Sequence, residues 1–557
     1  MNVLFCALNS KFIHSSLAPW YLKASVEKNK DVKAQVLEGT INEKESNILE
    51  KILNYNFDII GFSVYIWNVK LVLSLAKEVK RQRPGAKIVL GGPEVSYNAK
   101  SILKENLFVD LIISGEGEEP FLMLTQGLPH EKIDGLCYKK NNEIVIKPSH
   151  VSNFDPPFPY TEDYFKELNG RITYVETSRG CPFNCAFCLS GRCGGVRFFD
   201  LEESKRKILL LANSGTQTVK FIDRTFNASR KRAIELFQFI IDNYNNGNIP
   251  DNVCFHFEIE GELVDDDTVE VLKKAPKGLF QFEIGLQSFN EKTLEYINRK
   301  TNLDKLSSVV KQILSLGNIH VHIDLIAGMS YEDYESFANS FNMAIELRPH
   351  MLQLGFLKLL HGAEMRENTD KFKFEYSTEP PYEVISTEWM TKEELKKLHI
   401  FEDIFEKLYN SARFPNTCKY LLSKVQNVFK LLMDFALFCE QENIKNTLDD
   451  FTEAILKYFG AQQYINSREL RDFLAIDRLS TNKMGTLPES LKIHSPFIKN
   501  MLNELEKNEA TRKEKGVKRA ATILLTKYKF IYVDYKNIDK VQKNYKVYEI
   551  PIKFDKN

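Results

Sequence analysis

Through the first 130 residues, short apolar runs alternate with stretches whose apolar positions recur every three or four residues. The runs are NVLFCAL, AQVLEGT, FDIIGFSVY, AKIVLGGPEV and VDLIISGEGEEP; SSLAPWYLKASVEK, EKESNILEKILNY and NVKLVLSLAKEVKRQ lie between them. Near-continuous apolar strands separated by amphipathic helices predict an α/β fold, a doubly wound parallel sheet covered on both faces over residues 1–130. Residues 131–168 break the rhythm. DGLCYKKNNEIVIKP predicts a hairpin turning at Asn141-Asn142, and the proline-dense FDPPFPY predicts a linker. The alternation restarts over 169–375. RITYVET, TVKFIDRTFN, VCFHFEIEGEL, LFQFEIGLQSF, IHVHIDLIAGM and HMLQLGFLKLL are six strand candidates with helical stretches between them. That order predicts a partial (β/α)6 barrel, with strand C-termini facing a reaction chamber. From 376 to 557 long amphipathic helices dominate, and ATILLTKYKFIYVDY with YKVYEIPIKF reads as a closing hairpin. This mainly helical C-terminal domain is the expected seat of substrate recognition.

Composition narrows the class. At 43% hydrophobic and 27% charged, the 557 residues suit a soluble globular protein of several domains. Lysine plus arginine equals aspartate plus glutamate at 75 each, so no global field points to nucleic acid or an anionic membrane. No apolar run approaches the roughly 20 residues of a membrane span. MNVLFCALNS turns polar too soon for a signal peptide, so a cytoplasmic location is expected. Nine cysteines, three clustered and the rest scattered, do not form a disulfide framework.

The clustered three have chemistry. Cys181, Cys185 and Cys188 in TSRGCPFNCAFC form C-x3-C-x2-C. Three thiolates on one loop can hold three irons of a four-iron cluster, leaving the fourth open to a substrate or cofactor. Zinc would need a fourth Cys or His at ligand spacing; Cys193 is near, but a Gly-rich turn follows it. In the N-terminal region, strands end in Gly91-Gly92-Pro93 and Gly115-Glu116-Gly117-Glu118. Ligands bind at such carboxyl ends, and glycine lets backbone approach them closely. The G-x-G-x-x-G fingerprint after the first strand is missing, which argues against a nicotinamide cofactor.

The cysteine spacing, with Phe187 just before the last cysteine, resembles the radical S-adenosylmethionine (SAM) superfamily. GFSVYIWN, LGGPEVSY and ISGEGEEPF, in that order within residues 1–125, resemble the cobalamin-binding domain that precedes the barrel in one class of these enzymes. The resemblance is thus to the cobalamin-dependent, class B-like radical SAM group, and it implies a 4Fe–4S cluster, SAM and cobalamin as cofactors. It places the cluster on Cys181, Cys185 and Cys188. Strand ends of the barrel supply the SAM candidates Asp223, Thr225, Glu258, Gln287, Ser288 and Asp324, with Phe187 beside them. His256, Glu258 and Glu260 share one face by the period of two, and His320 and His322 share another. Cobalamin would lie against Ser63, Tyr65, Trp67, Asn68, Gly91, Gly92, Gly115, Glu116 and Gly117. His14 lacks the Asp before and the Gly after that mark a cobalt-ligating D-x-H-x-x-G, so a hydrogen-bonding loop histidine is expected there. The implied reaction is reductive cleavage of SAM with methylation of an unactivated carbon of a small molecule or peptide, fed by flavodoxin or ferredoxin. Alternatives are a cyclase, oxidase or rearrangement without net methyl transfer, or a non-catalytic cofactor-binding protein. Transfer between cofactors further requires the N-terminal strand ends, near Tyr65, Gly92 and Glu116, to face the barrel mouth.

Overall fold

The apolar runs of the N-terminal region become five parallel strands: β1 (Asn2–Asn9), β2 (Lys33–Thr40), β3 (Ile59–Ser63), β4 (Lys87–Gly91) and β5 (Leu111–Ile113). They lie in the order β2-β1-β3-β4-β5. Alternation along β1 shows why both faces are covered. Leu4, Cys6 and Leu8 join one core with the helices of residues 45–53 and 69–82, while Val3 and Phe5 join a second core on the other face. The expected hairpin forms as β6 (Leu136–Lys140) and β7 (Glu143–Val145), and β6 pairs antiparallel with β5, so the hairpin extends the sheet at its edge. Asn141 takes the left-handed turn conformation, and Asn142 lies outside the described residues.

The structure is a computed structural model describing residues 1–141, 143–483, 486–507 and 519–552. It comprises two compact units: Met1–Gly285, Lys292–Val309 and Phe356–Glu388 in the first; Leu286–Glu291, Val310–Gly355 and Trp389–Asn557 in the second.

The first unit also contains β8 (Thr173–Val175), β11 (Thr218–Phe221), β12 (Cys254–Ile259) and most of β13 (Phe280–Gln287), paired parallel in that order. Between β8 and β11 the chain adds an antiparallel hairpin, β9 (Ser178–Cys181) with β10 (Gly195–Phe198), which the apolar pattern did not signal. Alternation again separates two faces. Phe221, Phe257, Phe280 and Phe282 pack with Phe237 from the helix of residues 230–245. The opposite face presents Lys220, Glu258 and Glu283, whose charged ends lie within 4 Å in the pairs Lys220–Glu258 and Lys220–Glu283.

In the second unit β14 (His320–Ala327) neighbours β15 (Met351–Phe356). The C-terminal helices pack here. Phe341, on the helix of residues 334–346, meets Phe401, Phe405 and Phe429 edge-on, and Asn410 bonds the backbone of Leu352 in both directions. ATILLTKYKFIYVDY is two strands, divided by a turn at 525–528 where Tyr528 has φ 48°, so the closing element is a three-stranded antiparallel sheet. Among the described residues no helix is long and apolar enough to cross a membrane.

Candidate active site

The cysteine loop spans β9 to β10. Cys181 ends β9 opposite Gly195. Gly180 is required beside it: its φ is +90°, and a Cβ there would lie 1.9 Å from the Gly195 carbonyl oxygen. The loop is fixed from two sides, with Ala186 N donating to Ile297 O and Met365 N donating to Ala186 O. Cys185 is buried; Cys181 and Cys188 are half-buried. Thr225 Oγ1 is 3.3 Å from Cys181 Sγ, Ser190 N donates to Cys188 Sγ, and Arg299 Nη1 reaches Cys185 Sγ at 3.8 Å. Burial pushes the Cys185 thiol up, and Arg299 opposes that shift. The three sulfurs are not among the groups whose ligand atoms all lie within 4.8 Å of one another. About a single zinc, with Zn–S near 2.3 Å, they would be. Their wider spread fits a cluster. The side chain of Cys193 lies outside the described residues.

A cavity of about 520 Å³ opens within the first unit where two sets of strand ends meet. One wall is Asn9 and Ser10 at the end of β1, Ser63, Tyr65 and Trp67 at and beyond the end of β3, Gly91 and Gly92 at the end of β4, and Gly115, Glu116 and Gly117 after β5. The order of this sheet reverses between β1 and β3, the place where open α/β sheets bind ligands. Gly92 has φ +118°, and a Cβ would fall 2.4 Å from Val64 O. Tyr65 and Trp67 stack at 4.4 Å and 4°, with the Trp67 indole N–H bonded to Leu8 O. The other wall is Tyr174, Glu176, Arg179, Ile222 and Arg224, at the ends of β8 and β11 and on β9. Arg179 ties the walls together. Its guanidinium meets Glu116 and Glu118 at 2.6 Å and Glu176 at 3.0 Å. Arg197, directly across the hairpin from it, also takes Glu116 at 2.8 Å. Burial raises Glu118, but the Arg179 guanidinium outweighs it and holds that carboxyl below the usual range; at Glu176 burial wins and the pKa is raised.

Residues 4–125 match the B12 binding domain and residues 175–344 the radical SAM superfamily. The chain carries a B12-binding domain followed by a radical SAM domain. Those two domains imply a 4Fe–4S cluster, SAM and cobalamin. Residues 370–550 match a protein family of unknown function, DUF4080. The 2-(S-pantetheinyl)-carbapenam-3-carboxylate methyltransferase of Streptantibioticus cattleyicolor is 25% identical over 316 residues, 53% of this chain and 45% of that protein. The anaerobic magnesium-protoporphyrin IX monomethyl ester cyclase of Rubrivivax gelatinosus is 23% identical over 330 residues, 55% of this chain and 57% of that one. The chain spans about half the length of the curated relatives it matches. The solved structure of the cobalamin-dependent SAM radical enzyme OxsB, with aqua-cobalamin and SAM bound, aligns at a TM-score of 0.62 over 92% of this chain and 81% of that one. Sequence identity there is 14%, so the likeness is one of fold.

Within these domains the expected SAM residues divide. Thr225 stands beside Cys181, and Phe187 is half-buried in the loop. Asp223 is already engaged: its carboxylate accepts from Thr177 N, Thr177 Oγ1 and Ser178 Oγ at 3.0, 2.7 and 2.6 Å, and burial raises its pKa. It anchors the strand that leads to Cys181, with Oδ2 taking one of these bonds and Oδ1 two. Asn68, expected at cobalamin, is turned inward, donating to Leu8 O and Ser63 O and accepting from Tyr65 N. Glu116 lines the cavity, but two arginines hold its carboxylate. Glu258 lies near Lys220 and Arg224, at 3.9 and 4.0 Å.

In the second unit Ser288 is an interior residue, donating to Glu332 Oε1 at 2.5 Å and accepting from Asn290 N at 2.9 Å. Burial pushes Glu332 up to about 7. Gln287 has φ +74° and a buried amide oxygen without a partner, and Asp324 lies 3.0 Å from His322 Nε2. Strained backbone of this kind is concentrated at functional sites.

Arg299 escaped the sequence reading. It pairs with Glu260 at 2.8 Å, bonds Gly285 O at 2.5 Å and reaches Cys185. Glu260 Oε1 and Arg299 Nε are buried with no partner. An unsatisfied carboxylate oxygen and an unsatisfied guanidinium nitrogen beside the buried cysteine fit the ammonium and carboxylate of an amino acid. The thiol triad fits the cluster, and the glycine-edged wall fits a broad ligand held by backbone. The only sequence signal for Arg299 was a charged residue just past a short helix, where Asn298 turns the chain with φ +59°.

Proposed function

We propose that this enzyme methylates an unactivated carbon of a small-molecule or peptide substrate, in a reducing cytoplasm and with a flavodoxin or ferredoxin as electron donor. The observation that supports it best is the single cavity bounded both by the strand ends of the B12-binding-type sheet and by the strand that enters the cysteine loop. When bound, the cluster with SAM would supply a hydrogen-abstracting carbon radical and cobalamin would supply a methyl group; bringing both to one space is a requirement of transfer.

The chain's own residues hold and shield. Cys181, Cys185 and Cys188 hold the cluster, with Thr225 bonded to the first sulfur. Glu260 accepts from the SAM ammonium and Arg299 donates to its carboxylate. Asp223 fixes Thr177 and Ser178, and through them the approach to Cys181. Gly91, Gly92, Gly115, Gly117 and Ser63 admit cobalamin close to backbone, while the stacked Tyr65 and Trp67 keep water from that edge.

The test is anaerobic reconstitution with iron, sulfide, cobalamin and a low-potential reductant, then mass spectrometry of the products of methyl-labelled SAM. Cobalamin-dependent S-adenosylhomocysteine together with 5′-deoxyadenosine is the expected result. Deoxyadenosine without S-adenosylhomocysteine would replace methylation by a cyclase- or oxidase-type reaction. Neither product would leave a non-catalytic protein.

A further inference from the structure

One corner of the cavity has polar atoms with nothing to bind. Glu176, just past the end of β8, gives one carboxylate oxygen to Arg179 Nε at 3.0 Å. Its other oxygen, Oε2, is buried without a partner, although the residue lines the cavity. Tyr21, on the helix Ala18–Val26, lines the same cavity, and its hydroxyl is likewise buried and unbonded. Its ring lies 5.5 Å from the Arg179 guanidinium. One residue comes from each wall. Leaving a buried polar atom unsatisfied is costly, and native proteins contain few. Two on one cavity indicate a ligand that completes them.

The surroundings limit what that ligand is. Glu116, Glu118 and Glu176 share Arg179 and Arg197, so this cluster has one more carboxylate than guanidinium. Glu118 adds to the burial that raises Glu176. A second anion is therefore repelled and a hydrogen-bond donor is favoured. Tyr21 can donate a bond in return. Leu22, Ile113 and Phe121 line the same cavity and offer no polar atoms from their side chains, so a neutral group suits it better than a fully charged one. A primary carboxamide donates and accepts at once, is neutral, and recurs around the rim of the corrin ring.

We propose that Glu176 and Tyr21 together bind one primary carboxamide of the corrinoid rim, its N–H donating to Glu176 Oε2 and its carbonyl accepting from the Tyr21 hydroxyl. This rests on cobalamin binding, and goes beyond it by assigning a residue of the radical SAM domain to corrinoid recognition.

The test titrates reconstituted, cobalamin-free full-length protein with hydroxocobalamin, and with cobalamin monocarboxylic acids in which one rim amide is a carboxylate, followed by absorbance. For the wild type, one isomer of the monoacid is expected to bind about tenfold more weakly than cobalamin, the loss of one good hydrogen bond plus repulsion. Glu176→Gln keeps an acceptor for Arg179 Nε and gains an N–H, so it should bind that isomer as well as it binds cobalamin. Tyr21→Phe should weaken cobalamin several-fold while preserving discrimination against the acid. Iron content and melting temperature check that each variant folds. Equal binding of every monoacid by the wild type would overturn the proposal, as would unchanged discrimination in Glu176→Gln. Failure of the wild type to bind any corrinoid would instead remove the cobalamin reading on which it rests.

Discussion

The two walls of the cavity are built on opposite plans. The wall from the N-terminal sheet is largely glycine, serine and stacked aromatic rings, and its carboxylates, Glu116 and Glu118, are held by arginines. The wall from the barrel side consists largely of tyrosine and ionisable groups. The difference follows from what each is fitted to hold. A broad ligand with many amides is served by exposed backbone, so the first wall needs small residues in tight turns. A cluster and a compact zwitterion need thiolates and point charges, and burying those requires partners. Side-chain substitutions should therefore be severe near the cysteine loop and mild on the sheet wall, except where a glycine conformation is required.

The largest effect should come from the loop. Cys185→Ala removes the buried thiolate, and the iron of anaerobically reconstituted protein should fall from about four per chain to nearly none. A variant that retained four irons and the visible absorption would sink the cluster assignment and, with it, the contrast between the walls.

Next comes Arg299→Ala, which leaves Glu260 buried and unpaired and removes the proposed carboxylate partner. Loss of one member of a buried charge pair costs about 2–5 kcal/mol, so SAM affinity should drop at least about 30-fold while iron content stays near wild type. Arg299→Lys should recover only part of it, because an ammonium cannot reproduce the guanidinium fork. Unchanged SAM affinity with a full cluster would show that Arg299 only braces Glu260 and the backbone at Gly285.

On the sheet wall the sharpest test is a glycine. In Gly92→Ala the new Cβ meets Val64 O at 2.4 Å in a left-handed backbone. Strain of this kind costs of order 1–3 kcal/mol, so the melting temperature should fall and corrinoid binding weaken, with iron content untouched. A Gly92→Ala protein that bound corrinoid normally would show that the turn yields and that backbone approach there is not needed.

What the sequence revealed follows the same division. Local, periodic features were legible: the strand–helix alternation, the turns after β4 and β5, and the cysteine spacing. Partnerships across the chain were not. The bonds that Asp223 accepts from Thr177 and Ser178 were hidden because those residues precede it by about 45 positions. Ser288 looked accessible at a strand end because Glu332, which buries it, lies 44 residues on. Arg299 stands 114 residues from Cys185, and its place just past a short helix does not point to that partner. The third C-terminal strand was missed because β-forming residues continue through the turn at 525–528, where Lys527 and Tyr528 lack the Gly or Asn that ordinarily signals a break.

The smallest effect should be at His14. It occupies the loop after β1, lines the cavity and has a lowered pKa from burial and the nearby Lys220 and Lys11, so at pH 7 its imidazole is neutral and chemically able to bind a metal. Its geometry points elsewhere. Nδ1 is 2.6 Å from the Tyr174 hydroxyl and the backbone bridges to Ile172 just before β8, so one ring nitrogen is taken by the first barrel strand, and the Asp and Gly of a D-x-H-x-x-G setting are missing around it. The Co(II) electron spin resonance of corrinoid-loaded protein should therefore lack the splitting of an axial nitrogen, and His14→Ala should leave that spectrum unchanged. Corrinoid affinity should move by no more than about 1 kcal/mol, the size of one neutral hydrogen bond. Nitrogen splitting that disappears in His14→Ala would mean that the sheet wall does supply a metal ligand, and the division between a backbone wall and a side-chain wall would fail at the point where it matters most for the reactivity of cobalt.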